Sequence, residues 1–93
     1  MYQVVLSPLT KRQLRKLNQS GSFPKQKFES ALVQLCTGHS MPPHYRDHAL
    51  QGSLGLFWEF HIAFDFLVVY EKDDILKIIT ILNLGSHQQV FSD

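Results

Sequence analysis

Residues 57–71 read FWEFHIAFDFLVVYE. Apolar and polar side chains alternate in the first half of this stretch, whereas Phe66–Tyr70 is an uninterrupted apolar run. The pattern predicts two short strands joined at Ala63–Asp65, and the second strand suits a central position in a sheet because both of its faces are apolar. The side chains of the first strand that are predicted to face a core are Trp58, Phe60 and Ile62.

The opposite face of the first strand carries polar groups. Glu59 and His61 alternate with the core-facing residues, so they are predicted to lie side by side, and Asp65 follows at the bend. A carboxylate and an imidazole on a rigid strand, with a second carboxylate nearby, form a candidate site. The alternative interpretation is a solvated sheet face with a half-buried histidine.

The segments on either side complete an α+β pattern. The predicted elements are a strand at Tyr2–Leu6, a helix from Ser7-Pro8 to about Asn18, a helix over Pro24–Thr37 that stops at Gly38, a short extended piece at Tyr45–Leu50, turns at residues 51–55 and Lys72–Asp74, and a strand at Ile75–Leu82. The order strand–helix–helix–strand–strand–strand predicts one domain over residues 1–93, with an antiparallel sheet packed by a helical hairpin.

The first predicted helix has an apolar side and a basic side. The apolar residues are Leu9, Leu14 and Leu17, and the basic residues are Lys11, Arg12, Arg15 and Lys16. Residues 1–46 carry a net charge of +6 and residues 47–93 a net charge of −5. This asymmetry indicates a polyanionic or oppositely charged partner, although a solvated basic face explains the helix equally well.

Composition is that of a folded protein in a reducing compartment. Of the 93 residues, 44% are hydrophobic and 18% are charged, which argues against disorder. The single cysteine, Cys36, excludes an internal disulfide and is predicted to be a small core residue. Since there is no signal-peptide pattern and no apolar run of about 18 residues, we expect a cytoplasmic protein that does not enter a membrane.

Three of the five histidines, His48, His61 and His87, fall on or beside predicted strands. An antiparallel sheet can bring them to one surface, where two imidazoles can act as general base and general acid because both titrate near neutrality. Zinc binding is the competing interpretation, but no HExxH or paired CxxC spacing supports it. No P-loop, GxGxxG or GxSxG element is present, so no small-molecule cofactor is expected. His39 and His44 fall in a loop and are predicted to face solvent.

Three motifs follow one another in the second half of the chain. They are YRDHALQG at residues 45–52, WEFHIAFDFLVVY at 58–70, and GSH at 85–87 followed by Val90-Phe91. In that order they resemble the segments Y-[KR]-D-H-x-L-x-G, E-x-H-I-x-x-D-W-L-L-I-Y and G-[ST]-H-x-x-L-F of the YafQ branch of the RelE-type toxins. The resemblance implies a RelE-like microbial RNase fold and a toxin that cuts messenger RNA on the ribosome. It also implies a cognate antitoxin of the DinJ/RelB kind.

The resemblance further implies catalytic residues. His48 and His87 stand at two catalytic histidine positions, which we interpret as the general base and as the general acid towards the leaving 5′-oxygen. His61 and Asp65 match two more active-site positions, suited to proton balance and to orienting the imidazoles. Glu59 occupies a place where the family has an acid.

Other positions imply RNA contacts. Arg46 matches a basic position suited to a phosphate, and Phe91 an aromatic position suited to stacking on RNA. Phe66 replaces the family tryptophan, which keeps the packing and loses an indole donor.

Asn83 replaces a family arginine that is expected to stabilise charge on the scissile phosphate. Loss of one transition-state donor of this kind costs about 3 kcal/mol, and Lys11, Arg15 or Arg46 can compensate only if they lie close enough. Two functions therefore stay open: RNA cleavage at a lowered rate, or binding of ribosome or antitoxin without cleavage. A third option is a zinc-binding regulator that uses His48, His61 and His87.

Overall fold

The computed structural model describes residues 1–50 and 57–91, except the side chain of Phe91. The elements in these ranges are β1 (Gln3–Leu6), α1 (Pro8–Ser20), α2 (Lys25–Thr37), β2 (His48–Ala49), β3 (Phe57–Ala63), β4 (Phe66–Asp73), β5 (Ile78–Gly85) and α3 (His87–Phe91). A 3₁₀ turn at Pro43–Tyr45 precedes β2.

The strands form one sheet in the order β1-β5-β4-β3-β2. The pairs β2–β3, β3–β4 and β4–β5 are antiparallel, whereas β1 runs parallel to β5. The predicted α+β class is therefore confirmed, with a mixed sheet in place of a purely antiparallel one. Parallel neighbours need a long crossover connection, and here α1, α2 and the β2–β4 strands lie between the two paired strands.

Ser7 caps α1 as its sequence context predicts. The Ser7 hydroxyl accepts the Thr10 backbone N–H at 3.1 Å, Pro8 is the first helical residue, and Gly21 ends the helix with φ 75°. Thr10 is fully buried because its hydroxyl donates to the Ile81 carbonyl at 2.9 Å. The start of α1 is thereby joined to β5.

Both long helices pack their apolar sides on one face of the sheet. The core unites Leu14 and Leu17 of α1, Phe28, Ala31 and Leu35 of α2, and Phe60, Ile62, Val68, Tyr70, Ile79, Ile81 and Leu84 of the sheet. Full burial of each large apolar side chain contributes about 1.5–3 kcal/mol, so this layer supplies most of the stability. No helix in residues 1–50 and 57–91 is long and apolar enough to span a bilayer.

Two predicted core residues are more exposed than expected. Trp58 retains 36% of its accessible surface and Leu9 retains 40%. Trp58 points to the same face as Phe60, but it lies towards the start of β3, opposite Ala49 of the short edge strand β2. On α1, Thr10 takes the buried position next to Leu9 because its hydroxyl has a backbone partner.

The β4–β5 turn lies further along the chain than predicted. We expected a turn at Lys72–Asp74 and a strand from Ile75, but β4 continues to Asp73 and β5 starts at Ile78. The Asp73 carboxylate accepts the backbone N–H groups of Ile75 and Leu76 at 3.0 and 2.8 Å, which forms the turn after Asp73. The turn predicted at residues 51–55 lies outside the described residues.

Candidate active site on the open sheet face

The face of the sheet opposite the helical layer carries two rows of side chains. Directly paired residues in neighbouring antiparallel strands project to the same face. One row runs across four strands through His48, Glu59, Val69 and Asn83. The next row runs through His61, Leu67 and Gly85. Glu59 and His61 are therefore neighbours on one face, as predicted.

His48, His61 and His87 are successive neighbours, and we call this group of three rings the imidazole row. The ring centroids of His48 and His61 are 6.4 Å apart, and those of His61 and His87 are 5.8 Å apart. The structure thus gathers the three predicted histidines at one surface. His39 and His44 are exposed in the loop before β2, where the His44 ring stacks on Tyr45.

Glu59 lies between the first two rings of the row. Its Oε1 is 3.5 Å from His61 Nε2 and 3.8 Å from His48 Nε2. Glu59 keeps only 5% of its accessible surface, so water screens its charge weakly. One buried carboxylate therefore faces two imidazoles.

His61 is the inner ring, with a side chain that is 11% exposed. Arg46 Nη2 lies 3.5 Å from His61 Nδ1, and because a guanidinium only donates, Nδ1 must accept and Nε2–H faces Glu59. Burial, followed by the positive charge of Arg46, lowers the pKa of His61, and Glu59 opposes this shift in part. The shift favours the neutral form of His61, in which the ring is a hydrogen-bonding group between Arg46 and Glu59.

His48 is half exposed, and its orientation is set by the backbone. Its Nδ1 lies 2.7 Å from the Arg46 carbonyl oxygen, which can only accept, so Nδ1 carries the hydrogen. Nε2 of the neutral ring then holds the lone pair, as a general base requires. Arg46 adopts φ 51°, which turns its carbonyl and its side chain to their two histidine partners.

Asp47 and Tyr70 support the segment that carries Arg46 and His48. The Tyr70 hydroxyl is buried and donates to Asp47 Oδ1 at 2.6 Å. Burial raises the pKa of both the Asp47 carboxyl and the Tyr70 phenol, although this hydrogen bond opposes the shift of Asp47. The pair was not predicted; the available signal was a tyrosine in an apolar strand, which needs a polar partner.

Asp65 and His87 form the other end of the row. Asp65 sits in the β3–β4 turn with φ 54°, and its Oδ1 accepts both the backbone N–H and the ring Nδ1–H of His87, at 2.9 and 2.8 Å. These two hydrogen bonds, the backbone one first, lower the pKa of Asp65. Because Nδ1 of His87 donates to Asp65, Nε2 is the ring atom that is left for proton transfer to a ligand.

Asn83 is bonded to α1 through a residue that sequence reasoning missed. Gln13 Nε2 donates to Asn83 Oδ1 at 2.6 Å, and Gln13 Oε1 accepts the Leu84 N–H at 3.0 Å. The amide nitrogen of Asn83 is consequently its donor to a ligand. Because Gln13 bonds the edge of β5 beyond the end of β1, no local pattern marks it.

Four other residues were predicted to belong to the site, and in the part of the chain that the structure describes no hydrogen bond, ion pair or ring contact joins their side chains to the imidazole row. Lys11 and Arg15 are exposed two positions on either side of Gln13, so at about 100° per residue they project from the opposite side of α1. Phe66 is part of the core layer, with its ring centroid 5.5 Å from that of Phe23. Phe91 ends α3, and its side chain lies outside the described part. Their roles stay predictions.

Metal ligands were the competing interpretation of the row. Across the residues that the structure describes, no group of three or more His, Cys, Asp or Glu side chains is arranged to hold a metal ion. The acids instead orient the rings through hydrogen bonds and charge.

A family model described as "Bacterial toxin of type II toxin-antitoxin system, YafQ" matches residues 2–92. No curated protein matches the sequence significantly. Among solved structures, the chain is similar to a metal-bound toxin from Helicobacter pylori, with 28% identity over 98% of this chain and 100% of that one and a TM-score of 0.88.

A second solved structure shares the fold at lower identity. It is a chain of the E. coli DinJ–YafQ complex, with 22% identity over 99% of this chain and 100% of that one and a TM-score of 0.85.

Proposed function

The chain belongs to the YafQ family of bacterial toxins from type II toxin–antitoxin systems, and we propose that it is a ribosome-dependent endoribonuclease that cleaves messenger RNA. The observation that carries the proposal is the imidazole row, in which the largely covered ring of His61 lies next to two exposed rings whose Nδ1 atoms are hydrogen-bonded. Cleavage by a 2′-hydroxyl removes one proton and delivers another, which two such rings can do.

In the proposed reaction His48 Nε2 takes the proton of the ribose 2′-hydroxyl. The 2′-oxygen attacks the adjacent phosphorus, the bond from phosphorus to the 5′-oxygen breaks, and His87 Nε2 gives its proton to the departing 5′-oxygen. The products are a 2′,3′-cyclic phosphate and a 5′-hydroxyl. His48 ends the step protonated and His87 neutral, so one proton exchange between solvent and the rings restores the protein.

Arg46 and Asn83 are the proposed partners of the phosphate. The Arg46 guanidinium lies next to the His61 ring, in the middle of the imidazole row, and brings a positive charge there. Asn83 offers an amide donor where a family arginine would offer a charged one, which lowers the expected rate by about 100-fold.

The test is translation of a reporter message with purified ribosomes. We expect new ends inside translated codons, only when ribosomes are present, and fragments whose 5′-hydroxyl accepts phosphate from a polynucleotide kinase without prior dephosphorylation. His48→Gln should remove the ends, whereas His44→Gln, the same change at an exposed loop histidine, should leave them. Intact message at stoichiometric protein would contradict the proposal.

A second candidate function is binding without cleavage, and the state of Asn83 favours it. Asn83 carries no charge, and its carbonyl oxygen is already bonded to Gln13. In this case the protein sediments with ribosomes and lowers translation while the message stays whole.

We also propose a cytoplasmic antitoxin partner of the DinJ/RelB kind. Support comes from the family and from the E. coli complex of DinJ with YafQ. Because residues 1–46 carry a net charge of +6, an acidic antitoxin segment should bind there, and added salt should weaken the complex. Affinity that does not change with salt would contradict an electrostatic interface.

A further inference from the structure

The helical side of the sheet contains a second concave site, which the reaction above does not use. It is a cavity of about 380 Å³ between the loop at residues 38–43 and the β3–β5 strands. Its lining includes three buried side chains, Leu35, Tyr70 and Ile79. The volume lies within the range of small-molecule sites.

One wall of the cavity is aromatic. Trp58 lines it and remains 36% exposed, which is unusual for an indole beside a core. Pro42 and Pro43 also line the cavity, and their fixed rings restrict the backbone there. The partly exposed indole thus offers an aromatic surface to a ligand, beside a loop whose backbone the two prolines restrict.

The polar groups of the cavity have both signs. Asp47 lines it with a carboxylate whose Oδ1 is already oriented by the Tyr70 hydroxyl. Arg46 and Lys72 also line it, and the Lys72 ammonium lies 4.8 Å from the centre of the Tyr2 ring. The cavity thus combines one carboxylate with two cations, beside the polar side chains of His39 and Ser40, and this set matches a ligand that has both N–H donors and a phosphate.

Arg46 joins this cavity to the imidazole row. It lines the cavity, and its Nη2 also lies 3.5 Å from His61 Nδ1 on the open face. Arg46 therefore borders both regions beside the edge strand β2, so a ligand that passes around this edge can place one group in the cavity and a phosphate at the row. This continuity favours a nucleotide over a protein segment as the occupant.

We propose that the cavity binds the amino-bearing base of a nucleotide in the cleaved RNA, with the base stacked on Trp58, its donor edge on Asp47 and its phosphate near Arg46 and Lys72. The inference rests on the proposed function in taking RNA as the source of the nucleotide. Guanine fits best, because its N1–H and amino group are adjacent donors for a carboxylate. Uracil fits worst, because two carbonyl oxygens flank its single N–H and face the carboxylate.

The test uses the intrinsic fluorescence of Trp58, the single tryptophan of the chain. The full chain is titrated with GMP and with UMP, neither of which contains a scissile link between nucleotides. We expect saturable quenching by GMP with a dissociation constant of about 1 mM. UMP should bind about tenfold more weakly, because it lacks one hydrogen bond to a charged group, and such a bond changes affinity by about this factor. Free N-acetyltryptophanamide provides the correction for light absorption by the nucleotides.

Variants assign the selectivity to the cavity. Asp47→Asn keeps an acceptor for Tyr70 and should bring GMP and UMP to equal affinity. Glu29→Gln makes the same change at an exposed carboxylate of α2 and should keep the tenfold ratio. Thermal unfolding of both variants shows that they are folded.

Equal dissociation constants for GMP and UMP in the parent would overturn the inference. A tenfold ratio of dissociation constants that persists in Asp47→Asn would overturn it as well. Quenching by a bound antitoxin and by no nucleotide would assign the cavity to a protein contact and also overturn it. A chain that binds GMP selectively and leaves message intact contradicts the proposed function alone. A chain that cuts message without this selectivity contradicts the cavity assignment alone.

Discussion

The two carboxylates of the imidazole row differ in exposure and in reach. Glu59 keeps 5% of its accessible surface and faces two rings at 3.5 and 3.8 Å. The Asp65 side chain keeps 48% and bonds one residue, His87, at 2.8 and 2.9 Å. A buried acid acts on its neighbours through charge, because little water screens it, whereas an exposed acid must act through direct hydrogen bonds. The two end rings are about equally exposed, and the acids beside them are what differ. We call the end at His48, which has the buried acid, the buried end, and the end at His87, which has the exposed acid, the exposed end.

The largest expected effect is a loss of cleavage rate at the exposed end, and it tests whether His87 is as necessary for the proposed reaction as His48. His87→Gln removes the proposed acid and should lower the rate of message cleavage by about 10²–10⁴-fold. Because His87 is exposed, the free energy of unfolding should change by less than about 0.5 kcal/mol. Single-turnover cleavage and urea denaturation measure the two quantities. A variant as active as the parent would remove His87 from the mechanism.

The next prediction is a gain of cleavage rate at the buried end. Asn83→Arg places a cation in the cross-strand row that contains His48 and Glu59, and it should raise the cleavage rate by about 100-fold. It also removes the bond to Gln13, so Asn83→Lys, which adds charge without a guanidinium fork, is the matched control. Binding of ribosomes without any gain in cleavage would support the non-catalytic alternative.

The hydrogen bond between Tyr70 and Asp47, which supports the segment at the buried end, should contribute to the free energy of unfolding. Tyr70→Phe leaves Asp47 without its donor and should lower the free energy of unfolding by about 1–3 kcal/mol. Tyr2→Phe removes a hydroxyl with an equally short bond to Asp74, but that bond is exposed, so its loss should cost almost nothing. Equal costs in urea denaturation would show that burial does not distinguish the two tyrosines.

At the exposed end the acid should matter for rate more than for stability. Asn tolerates positive φ, so Asp65→Asn keeps the turn and removes only the charge that orients His87. We expect cleavage to fall about tenfold, the change for one charge-assisted hydrogen bond. The temperature of unfolding should fall only slightly, because the lowered pKa of Asp65 means that its charge also favours the folded chain, but the group is exposed. Loss of the fold in this variant would contradict a purely orienting role.

The smallest expected effect is a pH dependence at the inner ring. The pKa of His61 is lowered below its usual 6.5, so the unfolded chain binds this proton more readily than the folded chain. Its contribution to stability is therefore present above pH 6.5 and lost as pH falls through the window down to the folded pKa. NMR titration of the ring should give a pKa that rises in Arg46→Gln and falls in Glu59→Gln. Opposite signs would contradict the geometry at His61.

Local rules predicted the elements whose cause is local. The alternation over residues 57–63, the Ser7 cap and the Gly38 stop each depend on neighbours in sequence, and the structure contains all three. The shifted β4–β5 turn is the exception. There the Asp73 carboxylate accepts the backbone N–H groups of Ile75 and Leu76, which places these two apolar residues in the turn and not in the strand that their apolar character predicts.

Local rules did not predict hydrogen bonds between residues that are distant in sequence. Tyr70 with Asp47 and Gln13 with Asn83 meet only after the sheet forms, and neither partner shows what the other will be. The gathering of His48, His61 and His87 was predicted because strand alternation and the family motifs agreed on it. The tautomers were not predicted, because they depend on the Arg46 carbonyl and on Asp65 in the folded chain.

The parallel pair of β1 and β5 has a consequence for how the molecule forms. Gln3 pairs with Ile78 and Leu6 with Ile81, so the outermost strand finds its neighbour only after most of the polypeptide is in place. Contacts of such long range require costly loop closure before they reward it, and they slow folding. Because β5 also leads directly into His87, a partly folded chain has no complete set of proton-transfer groups. The proposed nuclease activity should therefore appear only after β5 has joined the sheet.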